Sequence, residues 1–135
     1  MKITRHELKS LIKQVIEENL YPTDTYRKIV FTHEGSDDMF DQYKPDLSVI
    51  GIEDSGDSYI YTNKKRHLHF GIDPSLQKKG LAALMIKAWV YREGPVIIPK
   101  GRIVNDLVYK VLDKIKTDDK FQVSDEGSYF EISEN

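Results

Sequence analysis

The chain has 135 residues, no cysteine, and 20 basic against 22 acidic residues, for a net charge of −2. This length fits one domain, and the lack of cysteine excludes disulfides, thiolate metal sites and a cysteine nucleophile. The near-neutral charge provides no global field that attracts nucleic acid or an anionic membrane. No apolar run is long enough to cross a bilayer and no secretory signal precedes the first element, so we expect a soluble, cytoplasmic protein.

The first element in the chain is an amphipathic segment that ends before Pro22. Thr4 and Glu7 have the spacing of a capping box, in which each side chain accepts the other residue's free backbone N–H. The apolar residues recur at helical spacing and predict a helix over residues 5–20. This stripe consists of Leu8, Leu11, Ile12, Val15, Ile16 and Leu20. We therefore divide the chain into a helix in residues 1–22 and a domain in residues 23–135, together forming one compact unit.

Segments rich in β-branched and aromatic residues predict strands in the next part of the chain. These strands are Tyr26–His33, Leu47–Glu53, Ser58–Thr62 and Arg66–Ile72. The acidic stretch Glu34–Tyr43 is predicted to be a loop or a short helix. The turn residues Asp54–Asp57 predict that the second and third strands form a hairpin.

Two helices and a hairpin are predicted in the remainder. The first helix covers Leu76–Tyr91 and ends at Gly94, and the short apolar run Val96–Ile98 follows it as a buried strand. Apolar residues from Ile103 to Ile115 predict the second helix. Two closing strands, Phe121–Ser124 and Ser128–Ile132, flank a glycine turn. This order predicts an α/β (α+β layered) domain with one mixed, mostly antiparallel sheet and flanking helices.

The segment between the fourth strand and the first of these two helices carries a motif. It contains Ile72-Asp73-Pro74 and then Gln77-x-x-Gly80-x-Ala82. This spacing resembles the diphosphate-binding loop of the GNAT family of N-acetyltransferases, and the element order from about residue 26 to 132 also resembles that fold. Independently, a helix N-terminus with a glycine favours anion binding, because free N–H groups meet the anion there. The alternative is an ordinary first helical turn in which the glycine serves packing.

The resemblance implies that acetyl-CoA is the cofactor and that its diphosphate binds the loop backbone. By position, the loop residues are Gln77, Lys78, Lys79, Gly80, Leu81 and Ala82. It also implies that strands Arg66–Ile72 and Val96–Ile98 separate, with the thioester arm of the cofactor between them. Ile72 and Asn105 complete the predicted cofactor contacts. The family's usual asparagine lies two turns before its tyrosine, and Arg102 occupies that place here.

The resemblance further implies direct acetyl transfer to a primary amine, with Tyr109 protonating the leaving thiolate. The alternative for Tyr109 is a half-buried packing residue. His67 and His69 share one face of their strand and are candidates for a general base, since histidine titrates near neutral pH. They are also candidates for two metal ligands, but no third ligand is apparent in the sequence, so we predict no metal site. The remaining interpretation of His67 and His69 is that they are surface side chains with no catalytic or metal-binding role.

A second function class remains open. The N-terminal helix resembles the leading segments of uncharacterised proteins from large tailed phages. This resemblance implies a non-catalytic, acetyltransferase-like structural or interaction protein, located in the host cytoplasm or the virion, that binds a protein partner or forms a homo-oligomer through this helix. The net charge disfavours a third alternative, a nucleic-acid-associated module that uses the basic residues Lys64, Lys65, Arg66, Lys78 and Lys79.

Overall fold

The structure is a computed structural model that describes residues 4–5, 22, 24–76, 80–103 and 105–135. Apart from Arg5, the predicted helix over residues 5–20 lies outside the described residues. Gln77, Lys78 and Lys79 of the predicted cofactor loop also lie outside them.

Four consecutive strands form the first sheet, in the order β1-β2-β3-β4, and every neighbouring pair is antiparallel. The strands are β1 (Val30–Ser36), β2 (Asp41–Asp46), β3 (Tyr59–Thr62) and β4 (Leu68–Gly71). Tyr59 of β3 lies opposite Gly71 of β4, and a side chain at position 71 would collide with the Tyr59 ring. This glycine is therefore required by the close approach of a cross-strand aromatic ring.

Three strands form the second sheet, in the order β5-β7-β6, and both pairs are antiparallel. They are β5 (Val96–Pro99), β6 (Phe121–Asp125) and β7 (Tyr129–Glu134), and the helices are α1 (Leu81–Glu93) and α2 (Leu107–Lys116). The predicted α+β layered class is confirmed. The prediction of a single mixed sheet is wrong, because only one isolated parallel bridge, His67–Ile97, joins the region of β4 to β5. The two strands do not form a continuous ladder. Neither of these two helices is long and apolar enough to span a bilayer.

Helix α1 is the centre of the core. Eight of its 13 residues are buried, as expected for a helix that is apolar on most sides. Its Trp89 meets the first sheet through Phe31 and Tyr43, with ring centroids 5.1 and 4.7 Å apart. Helix α1 also contacts β7 of the second sheet. Helix α1 therefore fixes the relative position of the two sheets.

The start of the predicted strand Tyr26–His33 is wrong. Residues Thr25–Lys28 form a 3₁₀ turn, and the strand begins only at Val30. The turn buries the Tyr26 ring edge-on against Phe121, with centroids 5.0 Å apart. Arg92 of α1 holds the exit of the turn, because its Nε donates to the Ile29 carbonyl at 2.6 Å. Tertiary packing of one aromatic side chain therefore overrides the β propensity of the segment.

The region predicted as a loop, Glu34–Tyr43, belongs mainly to a hairpin of β1 and β2. The Asp37 carboxylate accepts the N–H groups of Met39 and Phe40 at 2.8 and 2.7 Å, which forms the turn. The predicted strand Leu47–Glu53 is also wrong, since Ser48–Ile50 form a 3₁₀ turn. Its partner in the predicted hairpin, β3, pairs instead with β2 and β4.

The remaining elements follow the prediction with shifted starts. Helix α1 begins at Leu81 instead of Leu76, and α2 begins at Leu107 instead of Ile103. The strand Val96–Ile98 and the closing hairpin are confirmed as β5 and as β6 paired with β7.

Candidate functional site

A gap between β4 and β5 is the most prominent feature of the site. The strands run parallel and meet at the His67–Ile97 bridge, where the Ile97 N–H donates to the Arg66 carbonyl at 2.8 Å. Beyond this bridge they belong to different sheets. A cavity of about 340 Å³, here named the gap cavity, opens between their carboxyl-terminal halves. The expected separation of these two strands is therefore present.

The wall of the gap cavity combines apolar and polar side chains from three parts of the fold. The first sheet contributes Tyr59, Leu68, His69, Phe70, Gly71 and Ile72. The second sheet and the segment that follows it contribute Ile98, Pro99, Arg102, Ile103, Asn105, Leu107 and Val108. Polar and apolar groups contribute about equally to this wall, which is more polar than that of a typical small-molecule site.

The backbone of β4 also faces this gap. Peptide groups alternate between the two edges of a strand. Because the Arg66 carbonyl bonds β5, the alternation directs the peptide groups of Leu68 and Phe70 toward β5 and those of His69 and Gly71 toward β3. Beyond the bridge Phe70 lines the gap cavity, so its peptide group is a candidate partner for a ligand amide.

Strand β4 leads to the start of α1. Gly80 precedes this helix in the left-handed conformation, with φ +71°. The first bond of the helix runs from the Leu84 N–H to the Gly80 carbonyl at 3.3 Å. The N–H groups of Leu81 and Ala82 therefore have no acceptor within the helix, as in any first turn. These groups can bind an anion, although Leu81 itself is a buried core residue.

His69 lies at the mouth of the gap cavity and contacts Arg102. Nη1 of Arg102 lies 3.3 Å from Nε2 of His69. Since a guanidinium only donates, Nε2 is the acceptor and the proton of the neutral ring is on Nδ1. Burial, and next the charge of Arg102, lower the pKa of His69 below its ordinary value. The ring is therefore neutral at physiological pH, but its lone pair is already used by Arg102.

His67 lies on the same face of the strand, beside a second cavity. Burial, and next the charges of Arg102 and Lys65, lower its pKa as well. Positively charged side chains therefore lie near both histidines, and their charge disfavours the binding of a metal cation there. Among the described residues, no cluster of three histidine or acidic side chains is arranged to hold a metal ion.

Tyr109 lies on α2, but it is not in the wall of the gap cavity, which takes Leu107 and Val108 from this helix. Its side chain is exposed, and its ring packs edge-on against Phe130 of β7 at 6.1 Å. Asn105 does line the gap cavity, and its Oδ1 accepts the N–H of Leu107, the first residue of α2, at 2.9 Å. The proposed catalytic tyrosine and the cofactor-binding asparagine therefore face different surroundings.

Tyr59 and Phe40 are site residues that sequence reasoning missed. Tyr59 lines the gap cavity and covers Gly71, and Phe40 packs edge-on against His69 at 5.4 Å. An aromatic residue opposite a glycine is a signal for Tyr59, but it appears only once the β3–β4 register is known. No feature of the sequence indicates Phe40 as a site residue, because its segment is predicted to be a loop or a short helix.

Comparisons with protein-family models, with curated proteins and with solved structures find no match to this chain. The resemblance to the GNAT family therefore stays a prediction.

Proposed function

We propose that this chain is an acyl-CoA-dependent N-acetyltransferase that moves an acetyl group to a primary amine by direct transfer. One observation carries the proposal: two parallel strands joined by a single bridge separate around a cavity, and the first of them leads to a glycine-started helix. The carboxyl ends of parallel strands are where open α/β sheets place their ligands.

In this proposal, the backbone and side chains around the gap cavity have separate roles in binding and catalysis. The Phe70 peptide bonds an amide of the cofactor arm, and the first-turn N–H groups of α1 hold the diphosphate. The cofactor supplies the acetyl group and leaves as the thiol. The apolar wall around Ile98 and Val108 excludes water from the thioester. In the transfer step the neutral amine nitrogen would form the C–N bond as the C–S bond breaks. The nitrogen would release one proton to solvent, and Tyr109, the predicted donor, would give one proton to sulfur and regain it from solvent.

A second candidate function is a non-catalytic domain of the same fold that acts in phage structure or host interaction. The arrangement of the predicted catalytic groups favours it, because the His69 lone pair is taken by Arg102 and Tyr109 lies outside the cavity wall. A chain that keeps the cavity while its catalytic groups have other contacts is consistent with binding without turnover.

The test is calorimetric titration of the full chain with acetyl-CoA and with desulfo-CoA, together with two tryptophan variants. Val108→Trp fills the gap cavity, while Val49→Trp places the same side chain at an exposed turn. We expect both ligands to bind the parent chain and Val49→Trp, with a matching rise in thermal stability, and Val108→Trp to lose binding.

Each other outcome has a definite meaning. Equal binding by Val108→Trp and the parent chain removes the gap cavity as the cofactor site. No binding of either ligand at millimolar concentration rejects the acetyltransferase proposal and leaves the interaction protein. Binding without transfer to any amine in an acceptor panel favours the non-catalytic candidate.

A further inference from the structure

Arg102 lies where two cavities meet. It follows β5 in the 3₁₀ turn Lys100–Arg102 and belongs to the wall of the gap cavity. It also lines a second, open cavity of about 540 Å³ under the β1–β2 turn, here named the hairpin cavity. Any molecule that extends from one cavity into the other passes its guanidinium.

The surrounding structure holds Arg102 in place. Its guanidinium donates to His69 and lies 5.8 Å from the centroid of the Phe40 ring. Lys100, at the start of the same turn, is anchored by the Asp125 carboxylate at 2.6 Å and by a backbone bond to Ser128. The cation is therefore fixed before a ligand arrives, which lowers the entropy cost of binding.

The guanidinium has no carboxylate partner in the part of the chain that the structure describes. Lys87, Lys100 and Arg66, by contrast, each lie within 4.0 Å of a carboxylate oxygen. Arginine has five N–H donors in a planar fork, and one of them serves His69. The other N–H donors of the guanidinium can bind an oxyanion, because the Arg102 side chain is exposed.

Arg102 is the only lysine, arginine, aspartate or glutamate among the described residues that line the gap cavity. Lys64, Lys65 and His67 line the hairpin cavity with it, opposite the carboxylates of Asp37, Asp38 and Asp41. The Asp37 carboxylate is occupied by the turn N–H groups, and the Asp41 carboxylate accepts the Ser36 hydroxyl at 2.5 Å. In the hairpin cavity the cations of Lys64, Lys65 and Arg102 are balanced by three carboxylates, so the excess positive charge lies on the side of the gap cavity.

We propose that Arg102 binds the carboxylate of the acceptor, so that the acceptor class is amines that also carry a carboxylate. This rests on the proposed function, because the gap cavity then holds the acetyl donor beside the anchored acceptor. The planar fork of arginine matches a carboxylate with two parallel bonds, which lysine cannot form. Arg102 is in this role a specificity residue that holds the acceptor at the mouth of the gap cavity.

The first test measures the pKa of His69 by NMR on the full chain with CoA present, at constant ionic strength. The probes are β-alanine, its uncharged amide, and inorganic phosphate. A carboxylate at Arg102 offsets its positive charge, so we expect β-alanine to raise the pKa of His69 by about half a pH unit or more. The uncharged amide should leave the pKa of His69 unchanged and is the control for the carboxylate.

Variants make the assignment specific. Arg102→Gln raises the pKa of His69 by itself and should abolish the response to β-alanine, while Arg102→Lys keeps the charge and should retain a weaker response. In acetylation assays we expect Arg102→Gln to raise KM for β-alanine about tenfold or more and to change KM for the amide little.

The outcomes separate this inference from the proposed function. No response of His69 to β-alanine while CoA binds overturns the acceptor class and leaves the acetyltransferase proposal standing. A response to phosphate but not to β-alanine also overturns it. A response to β-alanine without CoA binding supports the carboxylate site and rejects the acetyltransferase.

Discussion

Gly80 offers a direct test of the proposed diphosphate site, because effects on stability and on ligand binding can be measured separately there. It precedes α1 with φ +71° and ψ +11°, a conformation that other residues adopt only with strain. Gly80→Ala introduces the strain alone. Gly80→Glu introduces the same strain and a negative charge beside the first-turn N–H groups of Leu81 and Ala82.

The stability change should be the same for both variants. A non-glycine residue in this conformation costs about 1–2 kcal/mol. For 135 residues, an unfolding entropy of about 2.1 cal/mol/K per residue gives about 0.28 kcal/mol/K, so the expected fall in Tm is about 4–7 °C. Differential scanning calorimetry checks this value. Both variants should remain folded at 25 °C, since a domain of this size is usually stable by about 5–15 kcal/mol.

The affinity for acetyl-CoA should differ between them. Two like charges about 4 Å apart repel by about 4 kcal/mol at an effective dielectric constant of 20, and half of that weakens binding about 30-fold. Calorimetric titration should show near-parent affinity for Gly80→Ala and about 30-fold weaker binding for Gly80→Glu. If the two variants bind acetyl-CoA equally well, the diphosphate does not lie at this helix and the reasoning is refuted.

Three further predictions concern single groups. Tyr109→Phe should lower kcat and leave the affinity for CoA nearly unchanged; unchanged turnover removes the tyrosine from the mechanism. Lys87→Met should lower the free energy of unfolding by about 2–4 kcal/mol, because it leaves the buried Asp118 carboxylate without the cation 3.0 Å away. Lys87→Met with Asp118→Asn should recover part of this loss in urea unfolding, and no recovery would contradict the ion-pair explanation. His67 and His69 have lowered pKa values in the folded chain, so the unfolded chain binds more protons as pH falls through about 6.5. Stability should therefore fall between pH 7.5 and 5.5, and replacing both histidines with glutamine should flatten this slope.

The elements predicted correctly are those whose signal is local. The apolar pattern of α1 ends at Gly94, which adopts φ +96° in the structure. The closing hairpin has alternating residues around Gly127, with φ +91°. In both cases the apolar pattern and the turn residue agree, so the neighbouring sequence is sufficient to define the element.

The wrong predictions fall where distant contacts decide the structure. The β1–β2 hairpin is mostly exposed and polar, so its apolar pattern is weak, and backbone pairing to β3 stabilises it. Leu47–Glu53 has the composition of a strand, yet Leu47 is buried at the start of a turn that Gly51 closes with φ +87°. The strand at β1–β2 and the turn at Leu47–Glu53 both depend on which parts of the chain lie beside these segments. A local sequence pattern contains no information about such distant neighbours.

The start of α2 shows how one boundary changes the chemistry of the site. The apolar pattern from Ile103 onward predicts a helix that includes Asn105, one turn before Tyr109. In the structure Asn105 precedes the helix, where its Oδ1 accepts the Leu107 N–H, and Ile103 lines the gap cavity. The apolar pattern therefore continues across the boundary for two different reasons: residues up to Val108 line the cavity, and residues from Val111 onward pack in the core. Since the residues before the helix form a turn, the side chain that reaches His69 comes from that turn, as Arg102. The proposed acceptor site therefore depends on β5 and the turn that follows it more than on the exposed face of α2.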